Sequence, residues 1–135
     1  MTKENSGKTK KIKKIPSGRG RLCIHSSFNN LTITITQENG DKLAQISSRT
    51  ATGYRGTAKS TSFAAQKAAE AALAKLTEFG ISVVEIIVWG IGNGRDAVLN
   101  KFKGFCNTTG LQVERIIDNT ALAFNGCRPR KRPRK

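Results

Sequence analysis

An α/β fold, a single domain with a mixed five-stranded sheet flanked by helices, is predicted by three features of this 135-residue chain. Residues 22–48 alternate apolar and polar positions in three short runs separated by Asn-Asn and Asn-Gly, the pattern of an antiparallel meander. Residues 62–79 carry apolar side chains at helical spacing. Residues 83–89 are almost continuously apolar, as expected for a strand buried on both faces.

The elements follow in order. In residues 22–28, Leu22, Ile24, Ser26 and Phe28 fall on one side and Cys23, His25 and Ser27 on the other. Asn29 and Asn30 suit the positive-φ positions of a tight turn. In residues 31–37, Leu31, Ile33 and Ile35 oppose Thr32, Thr34 and Thr36, and the β-branched content favours a strand. Asn39-Gly40 is a strong hairpin signal that returns the chain into a third strand over 42–48. A polar, Gly-containing connection fills 49–59.

The helix at 62–79 has Ser60, Thr61 or Ser62 available as N-cap and Gly80 as terminator. Ala65, Ala68, Ala69, Ala72, Leu73, Leu76 and Phe79 form its apolar stripe, while Lys67, Glu70 and Glu78 lie away from it. Small side chains on the stripe let the helix axis sit close to a sheet. After the buried strand come a Gly-rich loop, a short helix at about 96–103 and a strand at about 111–117. That βαβ unit implies parallel strands and a right-handed crossover, with helices on the faces of the sheet.

Charge divides the chain differently. Of a net +15, residues 1–21 hold +7 and residues 126–135 hold +6, leaving +2 for residues 22–125. The expected organisation is a basic N-terminal tail (1–21), an α/β core (22–125) and a basic C-terminal tail (126–135), both tails disordered until a polyanion orders them. No apolar run is long enough to span a membrane, and no apolar stretch near the N-terminus resembles a secretory signal. Cys23, Cys106 and Cys127 are odd in number and lack short spacing, which points to a reducing compartment. Pro129 and Pro133 interrupt the C-terminal tail, so it does not read as an amphipathic membrane helix. The expectation is a soluble intracellular domain that binds nucleic acid.

Catalytic chemistry finds no support. Gly90-Ile91-Gly92-Asn93-Gly94-Arg95 superficially resembles a dinucleotide fingerprint, but its third glycine position is Arg95. Its glycines serve equally well for a tight turn or for backbone approach to a phosphate, and Arg95 at a helix start suits a phosphate better than the helix dipole. His25, the single histidine, reads as a partly buried strand residue, and Cys23-x-His25 cannot complete a zinc site alone. Neither a catalytic residue, a metal ligand nor a cofactor is expected. Gly53-Tyr54-Arg55-Gly56 with Lys59 places an aromatic ring and two cations on one connection, where a base can stack and phosphates can pair. In the tail, Arg128, Arg130, Lys131, Arg132 and Arg134 are held extended by proline, as suits a strand threaded between RNA helices.

A meander followed by helices and parallel strands resembles the ribonuclease H-like arrangement, yet residues 22–28 contain no Asp or Glu to hold catalytic metals. Four stretches together resemble the bacterial-type S-eleven family of small-subunit ribosomal proteins, from about residue 19 onward. They are His25-Ser26-Ser27-Phe28-Asn29-Asn30, Gly53-Tyr54-Arg55-Gly56 through Lys59-Ser60-Thr61-Ser62-Phe63-Ala64-Ala65-Gln66, residues 90–96, and Asn125-Gly126-Cys127-Arg128-Pro129. The resemblance implies a ribonuclease H-like fold used for binding rRNA, and no enzymatic activity. It implies a place on the platform of the small subunit near the mRNA exit and Shine-Dalgarno region, beside the ribosomal proteins S-seven and S-eighteen. No homo-oligomer and no membrane partner are expected. The setting is the cytoplasmic ribosome of a bacterium, with a plastid or mitochondrial ribosome as the alternative.

Residues expected to contact rRNA are Arg19, Arg21, Asn29, Asn30, Tyr54, Arg55, Lys59, Gly92, Gly94, Arg95, Asn125, Arg128, Arg130, Lys131, Arg132 and Arg134. The chain departs from the family pattern mainly by losing proline, at Ser62, Ile91, Ala121, Ala123 and Arg130, and by Phe124 in place of histidine. Such loops are less pre-organised and depend more on RNA to order them. Asn125 precedes Gly126, so its side chain can cyclise to a succinimide, which makes Asn125 a candidate for deamidation or isoaspartate formation.

Overall fold

A computed structural model describes residues 17–134; the disorder expected of residues 1–16 and of Lys135 lies outside the described residues. The elements are β1 (Arg19–Ser26), β2 (Leu31–Gln37), β3 (Lys42–Ser47), α1 (Ser48–Thr52), a 3-10 turn (Gly56–Ser60), α2 (Ser62–Phe79), β4 (Val83–Trp89), α3 (Gly94–Thr109) and β5 (Gln112–Asp118). The strands form one sheet in the order β3-β2-β1-β4-β5. β1 and β3 run antiparallel to β2, whereas β1–β4 and β4–β5 are parallel pairs. The sheet is therefore mixed, as expected, and its order is compatible with the ribonuclease H-like arrangement.

Register explains the core. Leu22 stands between Ile35 and Ile86, and Ile24 between Ile33 and Val88, all at most 1% exposed. Ala65, Ala68, Ala69, Ala72, Leu73 and Leu76 of α2 join them in one cluster with Val98 and Phe102 of α3. Each fully buried Ile, Leu or Val contributes about 1.5–3 kcal/mol. A cross-strand pair on the opposite face, such as Cys23 beside Thr34, contributes about 0.2–1 kcal/mol. The inward rows thus set the register.

Both long helices pack against this same cluster and against each other, so one face of the sheet carries both. This corrects the expectation of helices on both faces and of a β4 buried on both. Val84, Ile86 and Val88 point inward, while Val83, Ile87 and Trp89 on the other side are only half-buried. The outward row of β4 is apolar too, which made the run look continuous in sequence. Glu85 interrupts that row. Its side chain is 11% exposed and is clasped by Arg115 Nε at 2.6 Å and Arg21 Nε at 2.8 Å. Those hydrogen bonds, Arg115 first, hold its carboxyl below the usual range.

Boundaries moved where apolar alternation carries no signal. β1 begins at Arg19, not Leu22, because Gly20 and Arg21 already pair with Gln37 and Thr36 on one side and with Val84 and Glu85 on the other. The β1–β2 turn does not use positive φ at Asn29 or Asn30; among the described non-glycine residues only Asn125 has it. Instead the Ser27 N–H and Oγ–H both donate to Asn30 O, at 2.9 and 3.0 Å, and Asn30 N–H donates back to Ser27 Oγ. The β2–β3 hairpin behaves as read, with Gly40 at φ 93° and its N–H on Gln37 O. β3 stops at Ser47, which turns to cap α1 by accepting from Thr50 N–H at 3.1 Å.

The stretch read as a plain connection therefore holds two short helical pieces. α3 runs to Thr109 rather than about 103. Gly104 sits where an added Cβ would meet nothing within 4 Å, so it weakens the helix by about 1 kcal/mol without ending it. Gly110, at φ 73°, ends it.

Ser62 is the first residue of α2, and the preceding cap, Thr61, is extended at φ −70°, ψ 149°. Proline fits a helix start and tolerates an extended predecessor. Ser62→Pro is expected to raise stability by about 0.4–1 kcal/mol, seen as a higher urea midpoint with an unchanged slope.

Candidate nucleic-acid interface

The carboxyl ends of the parallel strands β1, β4 and β5 lie at one end of the sheet, and three of the expected contact segments meet there. Gly92 N–H donates to Ser26 O at 3.1 Å, which presses the β4–α3 loop onto the end of β1. A Cβ on Gly90 would collide with the Ser26 carbonyl, and one on Gly92 with the Ser27 carbonyl. A Cβ on Gly94 would lie 2.8 Å from Leu31 Cδ1 and 3.1 Å from Ala65 Cβ. Gly92 and Gly94 are buried, so their role in the fold is close packing beneath the surface. Asn29 stands exposed beside them, and Asn30 is half-buried with its Oδ1 unpartnered among the described residues.

Arg95 is also engaged within the chain. Its guanidinium reaches Asp118 Oδ2 at 2.5 Å and Gly90 O at 3.3 Å, stapling the loop to the end of β5. Asp118 Oδ1 accepts from the Thr120 hydroxyl at 2.5 Å and from Thr120 N–H at 3.0 Å, and Asn119 N–H donates to Val88 O. The departure point of the C-terminal segment is thereby fixed. Hydrogen bonds from Thr120, then from Arg95, lower the Asp118 pKa to about 2. Because the folded value lies below the ordinary 3.8, this contribution is complete above pH 3.8 and is lost as pH falls through about 2. A carboxyl NMR titration should show Asp118 turning over near 2 in the wild type and shifted back toward its ordinary value in Thr120→Val with Arg95→Gln, where the backbone N–H of residue 120 is the donor that remains.

Tyr54, Arg55 and Lys59 come together through the short helical pieces. Ser47 caps α1, Gly53 ends it at φ 74°, and Gly56 at φ 62° opens the 3-10 turn that carries Lys59. Arg49, Arg55, Gly56 and Lys59 then line a cleft of about 280 Å³. Six cations of the folded body find carboxylates: Arg21 and Arg115 share Glu85, Lys67 and Lys101 share Glu70, Lys75 takes Glu78 and Arg95 takes Asp118. Arg19, Lys42 and Lys103 stand singly without one among the described residues. Among the described residues, Arg49, Arg55 and Lys59 have no carboxylate within 4 Å. Three converging, uncompensated cations attract an anion.

Two residues of this cluster were missed in the sequence. Arg49 is a lone arginine in a polar connection, and only the α1 turn brings it opposite Arg55 and Lys59. Phe63 lies off the apolar stripe of α2, which was the available signal. It is 53% exposed, with Tyr54 at 6.5 Å between ring centroids and a 31° tilt, and Lys67 Nζ at 5.8 Å from its ring centre.

Other expected residues stay apart. Arg19 is exposed at the far end of β1, and Arg21 is tied to Glu85 on the open face. Residues 119–134 form neither helix nor strand, and every residue from 121 to 134 is exposed, including Arg128, Arg130, Lys131, Arg132 and Arg134. Asn125 adopts the left-handed region at φ 55°, turning the chain before Gly126. A larger concavity of about 470 Å³ between α2 and α3 is lined by Leu73, Ala74 and Phe105, and its charges, Glu70 and Lys101, pair with each other at 2.8 Å. Among the described residues no three His, Cys, Asp or Glu side chains gather as a metal site. Burial raises the thiol pKa of Cys23 and of Cys106. No helix among the described residues is long and apolar enough to cross a membrane.

Compared with known proteins, the chain matches the family model described as ribosomal protein S11 over residues 20–134. It is 46% identical to the small ribosomal subunit protein uS11 of Nautilia profundicola, 42% to that of Rhodopirellula baltica and 39% to that of Thermotoga maritima. Each of these likenesses runs over 134 residues and covers 99% of both chains.

Proposed function

The chain belongs to the ribosomal protein S11 family, and on that premise we propose that it holds rRNA through two cationic elements: the Arg49–Arg55–Lys59 cleft and the exposed C-terminal segment. It is a structural constituent of the small ribosomal subunit and not an enzyme. The observation that carries the reading is the contrast in pairing. Arg21, Arg95 and Arg115, and Lys67, Lys75 and Lys101 of the helices, are compensated by carboxylates, while the three cations that converge in the cleft and those of residues 128–134 have none within 4 Å among the described residues. Phosphates supply the missing charge. Arg95 anchors the loop internally, so its contribution to RNA binding is to position the departing segment.

The location proposed is the platform of the small subunit, near the mRNA exit and the Shine-Dalgarno pairing region, with S-seven and S-eighteen as protein neighbours. The protein acts there as a single copy. Its bacterial relatives favour the cytoplasmic ribosome of a bacterium over that of a plastid or mitochondrion. Gradient sedimentation of tagged protein from the native host, repeated after a high-salt wash, tests the assignment. Retention on small subunits, with cross-links to platform rRNA and to S-seven and S-eighteen, is the expected result. A slow-sedimenting pool, or cross-links to another part of the subunit, would overturn it.

A further inference from the structure

We propose that Tyr54 and Phe63, together with the adjoining Arg49–Arg55–Lys59 cleft, form a seat for one unpaired nucleotide of RNA, its base stacked on the rings and its phosphate in the cleft. The proposal rests on the rRNA-binding reading above and adds which form of RNA this surface takes. The sequence resemblance did not single out Phe63 or Arg49.

The rings lack a structural reason for their exposure. Phe63 lies in the first turn of α2, where the next two residues, Ala64 and Ala65, are at most 1% exposed and face the core. Phe63 therefore points outward, 53% exposed, and Tyr54 beside it is 40% exposed. Their 6.5 Å separation and 31° tilt make a nearly continuous aromatic ledge. Isolated apolar residues on a surface are ordinary. Two adjoining aromatics on the same short stretch of chain as Arg55 and Lys59, which with Arg49 line one cleft, form a more specific combination.

Chemistry favours an unpaired nucleotide over a duplex. Phosphates of either form would satisfy the cleft. Only a base released from its helix offers a face to the rings, since bases within a duplex are already stacked. Backbone continuity sets the two halves together: Tyr54 precedes Arg55 directly, and the 3-10 turn bearing Lys59 leads through Thr61 into Phe63. Lys67 Nζ, near the Phe63 ring and paired with Glu70 at 2.9 Å, borders the ledge on the helix side. An acidic peptide of a neighbouring protein is the alternative occupant, and the test separates it.

The test uses the full chain and two RNA probes. One is a hairpin with an unpaired adenosine-rich loop carrying a single 2-aminopurine, and the other is a blunt duplex of the same stem. Wild type should bind the hairpin more tightly than the duplex and quench the 2-aminopurine. Phe63→Leu combined with Tyr54→Leu keeps apolar bulk at exposed positions and so leaves the fold intact, as circular dichroism would verify. This variant should lose roughly tenfold or more in hairpin affinity, together with the quenching, while its duplex affinity and salt slope stay unchanged. Arg55→Gln should instead flatten the salt slope on both probes by about one. Unaltered hairpin affinity and quenching in the double variant, with salt-dependent binding intact, would overturn the seat and assign the ledge to a protein neighbour; the rRNA reading would survive. If wild type binds neither probe, that reading fails and the seat fails with it.

Discussion

Deleting residues 126–135 is expected to weaken rRNA binding roughly a thousandfold at physiological salt and to reduce the slope of log affinity against log salt by about four to five. The segment carries six cations and no acid, and among the described part every residue is exposed. Each phosphate it neutralises releases nearly one counterion, so the slope counts contacts directly. Filter binding across a salt series checks this. An unchanged slope would mean that the segment makes no phosphate contacts. The folded body should remain intact, because the chain leaves it at the Arg95–Asp118–Thr120 staple, upstream of the deletion.

The largest effect on stability is expected from Gly90→Ala. Gly90 has φ 93°, and its added Cβ would fall on the Ser26 carbonyl, which also accepts the Gly92 N–H. Left-handed strain and collision with rigid backbone act together, for a loss of roughly 3–5 kcal/mol in urea unfolding. Gly40→Ala is the matched control. It has the same φ of 93° but nothing within 4 Å of the added Cβ, so it should lose only about 1 kcal/mol. Equal losses in the two variants would show that the β4–α3 loop is not packed tightly on β1.

The contrast between these glycines shows what sequence could and could not convey. The Asn39-Gly40 hairpin was readable because its φ requirement is local. The close approach at Gly90 and Gly92 involves Ser26 and Ser27, more than sixty positions earlier, and pattern alone could not separate packing from phosphate binding. The inward rows Leu22–Ile24 and Leu31–Ile35 were legible from alternation, and the α2 stripe from its period. The polar start of β1 at Arg19–Arg21 was not, since backbone pairing there owes nothing to apolar side chains.

For the interface, an aromatic ring and two cations on one connection pointed to Tyr54, Arg55 and Lys59. Arg49 joined them only once Ser47 capped a turn that sequence had left as plain connection. Arg21 and Arg95 read as free cations because Glu85 and Asp118, their partners, lie 64 and 23 positions away in the chain. Formal charge at the termini was visible in composition; compensation of charge within the body was not.

The strand order has a consequence for synthesis. β1 emerges from the ribosome first, yet it occupies the middle of the sheet. Its pairing with β2 is available at once, but its other edge waits for β4, whose first residue lies 64 positions beyond that of β1 in the register Arg19↔Val83. At about 5–20 residues per second, a nascent chain holds that central edge open for roughly 3–13 s. During that interval it is a half-built sheet with an unpaired strand along one side, the species most exposed to mispairing with another chain.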